Sequence, residues 1–346
     1  MINENSFDDI DDIRAHLREL PGPDPRASEL AAVREPTLTK PPGSLGRLED
    51  IAHWLAAWQG SHPPRMAAPS VLVFAGSHGI TAEGVSAYPV EVTAQMLANF
   101  EAGGAAINQL SKAFGATLKA IDVNVSAPTK NFINEPAMTE PEFIRAFGQG
   151  MAAVDQDSDV VCIGEMGIGN TTVAAALCHA IYSGRPEEWV GPGTGVVGVS
   201  MEAKHRVVKS AGERYGGQGI DGLEILRCIG GGELAAMAGA IVQARMVQVP
   251  VVLDGYVCGA AAAALNAVNL GAVNLGALDH CIAGHVSAEP GHGKLLEKLG
   301  LAPILNLDMR LGEASGAAVA LGILKAAVAC HTGMATFAEA GVSDKD

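Results

Sequence analysis

An α/β fold with a doubly wound, mostly parallel sheet is the architecture this chain predicts, and three observations carry the prediction. Short apolar runs of strand length recur along the 346 residues, each leaves into a polar or glycine-rich turn, and each turn feeds a helical stretch. Repetition of strand, turn and helix implies parallel pairing through crossovers, with ligands met along one edge of the sheet. The composition agrees: 42 glycines and 48% hydrophobic residues with only 4% aromatic describe tight turns and helices packed through small residues.

Taken in order, residues 8 to 34 read as a helical segment interrupted by Pro21-Gly22-Pro23-Asp24-Pro25. Lys40 to Glu49 is a rigid turn feeding a helix from Arg47 to Trp58, where Leu48, Ile51, Leu55 and Trp58 repeat at helical spacing and Trp54 and Trp58 are core residues. Ser70 to Gly76 is the first strand, with Ser77-His78-Gly79 at its exit, and Pro89 opens a helix that Gly103-Gly104 ends. Leu118 to Val125 is the second strand, residues 126 to 141 a loop, and Glu142 to Ala153 a helix. Asp159 to Ile163 reads as the third, buried strand; Gly164 to Thr172 is its turn, and Val173 to Ile181 the helix that follows. A second glycine-rich loop, Trp189 to Gly195, precedes the basic segment Lys204 to Lys209. Further on come a helix opened by Gly230-Gly231-Gly232-Glu233 and running through Val247, a strand Pro250 to Gly255, a helix Val257 to Leu270 and a strand Cys281 to Val286. The segment Ile304 to Ser315 then delivers Glu313 to a long Ala-rich helix ending near His331.

The formal charge of -15 argues against nucleic acid or an anionic membrane surface as partner, since both need a basic footprint. Cys162, Cys178, Cys228, Cys258, Cys281 and Cys330 fall mostly in apolar runs without close pairing, which reads as reduced core cysteine in a cytoplasmic protein. The N-terminal residues are acidic and unlike a signal peptide, and Val257 to Leu270 is too short for a membrane span of ~20 residues.

The chemistry concentrates at the strand exits. Glycine turns entering a helix leave amide groups that bind anions, above all phosphate, so Gly167-Ile168-Gly169-Asn170-Thr171 is a phosphate-loop candidate. Glu165 beside it is anomalous, because a carboxylate repels phosphate unless it has another task. Glu165 and Glu313 each follow an apolar strand and sit in a glycine turn, where an apolar crevice would raise a carboxyl pKa toward the range of a general base. Ser77-His78, Asp254 and Ser287 with Glu289 are the other polar exits. Gly193-Thr194-Gly195-Val196-Val197-Gly198 matches a dinucleotide fingerprint in letters only, for no strand precedes it, and no phosphate loop of the Gly-x-x-x-x-Gly-Lys-Ser/Thr type occurs. His285 and His292 suit hydrogen bonding in a loop better than a zinc pair.

Lys40 to Glu49, Glu83 to Pro89 with Val92 to Met96, Gly164 to Thr172, Gly284 to His292 and Arg310 to Glu313 together resemble the nicotinate-nucleotide:dimethylbenzimidazole phosphoribosyltransferases, in the same order from about residue 37 to 330. The resemblance departs at Ser77, where the family usually carries Asp or Asn before the His. It implies transfer of phosphoribose from nicotinate mononucleotide to a benzimidazole base in cobalamin lower-ligand assembly, with no metal or other cofactor. It also implies Glu313 as general base, with Glu165 as partner of the cationic sugar. The phosphate and ribose would lie on Gly167, Ile168, Gly169, Asn170 and Thr171 with Gly193, Thr194, Gly195 and Lys204, and the bases against Ser77, His78, Ser287 and Leu311. It further implies a homodimer and a smaller helical domain drawn from both chain ends, with residues 1–62 and 313–346 flanking a catalytic domain of residues 63–312. Two rivals remain at this point: a hydrolase that sends water to the same sugar carbon, and a non-catalytic carrier of the base or its nucleotide.

Overall fold

The computed structural model describes residues 7–193, 195–268 and 276–343. Thr194 and the last residues of the helix expected to reach Leu270 lie outside them. Six strands, β1 (Pro69–Ala75), β2 (Thr117–Asp122), β3 (Val160–Met166), β4 (Val251–Leu253), β5 (Cys281–His285) and β6 (Pro303–Leu305), form one sheet in the order β2-β1-β3-β4-β5-β6. All the pairings are parallel. The chain winds outward from β1 to β2 and then reverses to β3, so the strand order switches between β1 and β3, where open α/β sheets place ligands.

Both faces of the sheet are covered, which is why its central strands read as continuous apolar runs rather than as alternating ones. Leu72, Phe74, Val161, Ile163, Val251 and Leu253 point into one core, against the helices Glu140–Ala153, Asn170–Tyr182, Gly232–Met246 and Tyr256–Asn266. Val71, Val73, Val160, Cys162 and Val252 point into the other, against Arg47–Gln59 and Ser315–Gly333. The last of these helices is long and apolar enough to cross a membrane by composition, yet Ala317, Ala318, Leu321 and Leu324 are fully buried in this second core. Trp58 is buried as expected, and Trp54 packs half-buried against the same core.

Several boundaries differ from expectation, three of them for local reasons that can be named. β2 stops at Asp122 because its Oδ1 accepts the Val125 amide at 2.7 Å and Asn124 turns left-handed at φ 60°. The helix placed after Pro89 begins at Val92, with Pro89 in the turn before it. More consequentially, β3 runs through Gly164 and Glu165 to Met166, since β1 pairs with it as far as Ala75 and Met166. Glu165 therefore stands on a strand and not in a flexible glycine turn.

Segments from the two ends of the described chain, residues 34–38 and 331–336, meet. Leu38 bridges to Thr336, Arg34 donates to the carbonyls of His331 (2.9 Å) and Met334 (3.0 Å), and Glu35 receives His331 Nδ1 at 2.5 Å. The first helix, Ile10–Leu17, instead buries Ile10, Ile13 and Leu17 in the core beside Phe143 and Phe147.

Candidate active site

β3, β4, β5 and the segment after β6 end along one edge and enclose a cleft lined by Glu165, Gly167, Asn170, Thr171, Ser287 and Leu311, with Ile168, Gly193 and Gly312 also on its wall. Eight of the residues the sequence singled out thus meet here: Glu165, Gly167, Ile168, Asn170, Thr171, Gly193, Ser287 and Leu311.

Glu313 joins them through its backbone. Gly312, Glu313 and Ala314 are three successive left-handed residues, with φ of 85°, 61° and 60°. Only the glycine adopts this region without cost; at the other two it costs about 1–3 kcal/mol each, which the surroundings must offset. Two contacts over-determine the turn. The Glu313 amide donates to the Glu165 carbonyl at 3.1 Å, and Asp254 Oδ1 accepts the amides of Gly316 (2.7 Å) and Ala317 (3.0 Å), capping the helix that follows. A β-carbon on Gly164 would fall onto Ala314, 2.5 Å from both its Cα and its Cβ, so the strand needs glycine for the turn to approach.

The electrostatics follow from burial. Glu165 and Glu313 are 8% and 5% exposed. Loss of hydration, then repulsion from Asp254 and Glu233, raises Glu165 to about 8, although Asn170 Nδ2 donates to its carboxylate. Burial and then Asp254 raise Glu313 to about 7. Asp254 itself is raised by burial, against the pull of His285. An acidic cluster with too little countercharge is a receptor for a cation, whose arrival would ionise it.

Behind the cleft-wall residues Thr171 and Gly193, and not itself on the wall, stands a cation. Lys204, 2% exposed, donates from Nζ to the Gly191 carbonyl (2.9 Å) and Thr171 Oγ1 (3.3 Å). Burial lowers it to about 8, with Glu289 opposing the shift. Gly169 caps the Asn170–Tyr182 helix at φ 93°, and no side chain caps that end. The expected cradle is only partly free: the Ile168 amide donates to Thr93 Oγ1 (3.1 Å) and the Asn170 amide to the Gly167 carbonyl (3.2 Å). The amides of Gly169 and Thr171 have no acceptor among the described residues. Arg310, which opens the motif Arg310 to Glu313 but is assigned no role by the sequence, lines the cleft and donates to the Gly193 carbonyl at 2.9 Å.

Some expected site residues lie elsewhere. Gly195 is left-handed at φ 104° and off the cleft wall. His78 is 1% exposed and binds Glu233 Oε1 through Nε2 at 2.6 Å, under Gly167, whose added β-carbon would stand 3.0 Å from that nitrogen. Ser77 opens into a different cavity. Of the two histidines expected to hydrogen-bond in a loop, His292 does so from the first turn of a helix, Pro290–Leu299, where its Nδ1 accepts the Ser287 amide at 2.8 Å. His285 ends β5 instead, with its ring edge-on to that of His292 and its Nε2 3.5 Å from Asp254 Oδ1. Among the described residues no group of three or more His, Cys, Asp or Glu side chains is arranged to hold a metal ion.

An anion cradle facing buried carboxylates, at the C-terminal edge of a parallel sheet, suits a phosphorylated sugar that carries positive charge at its reacting carbon. A phosphoribosyltransferase family model matches residues 20–342, which defines the class. The proteins most like this chain include those named nicotinate-nucleotide-dimethylbenzimidazole phosphoribosyltransferase from Ruegeria pomeroyi, 56% identical over 336 residues (97% of this chain, 98% of the relative), and from Sinorhizobium medicae, 55% identical over the same shares. The crystal structure of CobT from Thermus thermophilus superposes with a TM-score of 0.86 at 41% identity, over 93% of this chain and all of that one. The chain belongs to the nicotinate-nucleotide-dimethylbenzimidazole phosphoribosyltransferase family.

Proposed function

We propose that the protein transfers the 5-phosphoribosyl group of nicotinate mononucleotide to 5,6-dimethylbenzimidazole or a related base, giving α-ribazole 5′-phosphate and nicotinate in cobalamin synthesis. The observation that carries this reading is the Glu313 turn, hydrogen-bonded to the Glu165 backbone and holding a carboxyl at about 7 beside a second one in the cleft. The bond from ribose C1′ to the pyridinium nitrogen breaks, and nicotinate leaves with the electron pair. One benzimidazole nitrogen bonds C1′ while the proton on the other passes to Glu313. Glu165, ionised by the incoming cation, stabilises the oxocarbenium character of C1′. The phosphate lies on the free amides of the Gly169 turn with Lys204 as counter-charge. Incubation with nicotinate mononucleotide alone separates transfer from hydrolysis: nicotinate release that depends on added dimethylbenzimidazole supports transfer, and equally fast release without it would establish the hydrolase.

The charges predict a bell-shaped pH profile. The base form of Glu313 accumulates as pH rises through about 7, and Lys204 loses its proton as pH rises through about 8. kcat/KM for nicotinate mononucleotide is therefore expected to peak between these values and to fall on both sides. Lys204→Ala is expected to raise the KM for the nucleotide by about tenfold or more, the usual worth of a charge-assisted hydrogen bond, with a smaller change in kcat. Steady-state kinetics on the variant checks this, and an unchanged KM would remove Lys204 from the cradle.

The reading extends to a cytoplasmic homodimer with a small domain drawn from residues 1–62 and 313–346 around a catalytic domain of 63–312. Exposed Leu311 on the cleft wall, with exposed Val197, Leu307 and Val199, the last opening the helix Val199–Tyr215, supports a second copy covering that side. The joined segments, through Arg34, Glu35 and His331, support the small domain.

A further inference from the structure

A second cavity of about 230 Å³ opens beside Ser77 and shares no lining residue with the cleft. Its apolar walls come from Val123, Ala137, Met138 and Ala146. Ser77 lines it at 5% exposure, and its hydroxyl has no hydrogen-bond partner among the described residues. Beside Ser77 is Gly232, the first residue of the 15-residue helix Gly232–Met246, whose N-cap Gly231 supplies no capping side chain. Lys130 and Arg145, both exposed, also line the cavity. The one carboxylate on the wall, Glu142, accepts from the amide and hydroxyl of Thr139, both at 2.8 Å, and offsets one of the two cations.

A helix N-terminus without a capping side chain carries roughly half a positive charge, and the carboxylate in its first turn, Glu233, is bound to His78 and does not line the cavity. With a free buried hydroxyl and two cations beside it, the site selects an anionic head group, and on a protein of net charge -15 such a place is local and built. The apolar walls take an uncharged body, and the volume, below the roughly 300 Å³ at which drug-sized pockets begin, limits that body to about one ring. We propose that this cavity is a second binding site, separate from the substrate cleft, for a small aromatic carboxylate, the chemical class to which nicotinate belongs.

The test is a calorimetric titration of benzoate into the full chain, with the cleft first saturated by α-ribazole 5′-phosphate. Benzoate is expected to bind still, and uncharged benzamide to bind far more weakly. Arg145→Ala and Ser77→Val are each expected to weaken benzoate by about tenfold, whereas Glu313→Gln leaves its affinity unchanged. Arg145 is on the surface, so its variant remains informative if Ser77→Val folds poorly. Absence of benzoate binding at millimolar concentration overturns the proposal. So do displacement of benzoate by α-ribazole 5′-phosphate, equal binding of benzamide, and an affinity unaltered in Arg145→Ala.

Discussion

Glu313→Gln is expected to lower kcat by about 10²–10⁴-fold, the usual span of general-base catalysis, while nucleotide affinity changes little. The same variant is expected to be more stable than the wild type at neutral and alkaline pH. Glu313 has a folded-state pKa raised from the ordinary carboxyl range to about 7. A group so raised favours the fold while it is protonated, and that contribution is lost as pH rises through about 7. Glutamine, which never ionises, keeps it. The gain is on the order of 2–3 kcal/mol at about pH 8, as an upper figure, and vanishes below about pH 4, where the wild-type carboxyl is protonated in both states. Thermal melts of both proteins across pH check the sign: a variant less stable than wild type at alkaline pH would mean that Glu313 is held by a countercharge, and the base assignment would lose its physical ground.

Gly164→Ala is expected to damage activity from beneath the site. The added methyl would occupy the space of Ala314, whose amide, Cα and Cβ all crowd the position. Either the strand or the Gly312–Ala314 turn must move, and β3 is pinned on both sides by β1 and β4. The turn gives way, and with it the 3.1 Å bond from the Glu313 amide to the Glu165 carbonyl. Overpacking of this kind costs about 1–3 kcal/mol of stability. Displacing a reacting group by ~1 Å costs about 10²-fold in rate. Denaturant midpoints and kcat measured together test it, and full activity in the variant would show that the turn tolerates movement.

The frame of the protein is legible because its central strands are covered on both faces, so that Val160 to Ile163 reads as a strand from hydrophobicity alone. What escapes such a reading depends on partners distant in sequence. Gly164 looks like the end of β3, but pairing of Ala75 with Met166 carries the strand past it, placing Glu165 on rigid backbone. Ser77 and His78 read together as a strand exit, yet consecutive residues leave in different directions, one into a second cavity and the other to Glu233, 155 residues away. Arg310 reaches the Gly193 carbonyl across 117 residues, a contact no local pattern announces. The carboxylates at 165 and 313 stand out because a polar residue between an apolar strand and a glycine is conspicuous; that their backbones are hydrogen-bonded to each other does not follow from spacing.

The claim on which the mechanism turns is that Glu313 removes the proton from the attacking base. It is tested most directly by kcat for a series of benzimidazoles of increasing N–H acidity, measured on wild type and Glu313→Gln. If Glu313 is the base, acidic acceptors ionise without help, and the deficit of the variant shrinks steadily along the series. A deficit of the same size for every acceptor would contradict the account and leave Glu313 a purely electrostatic or positional role.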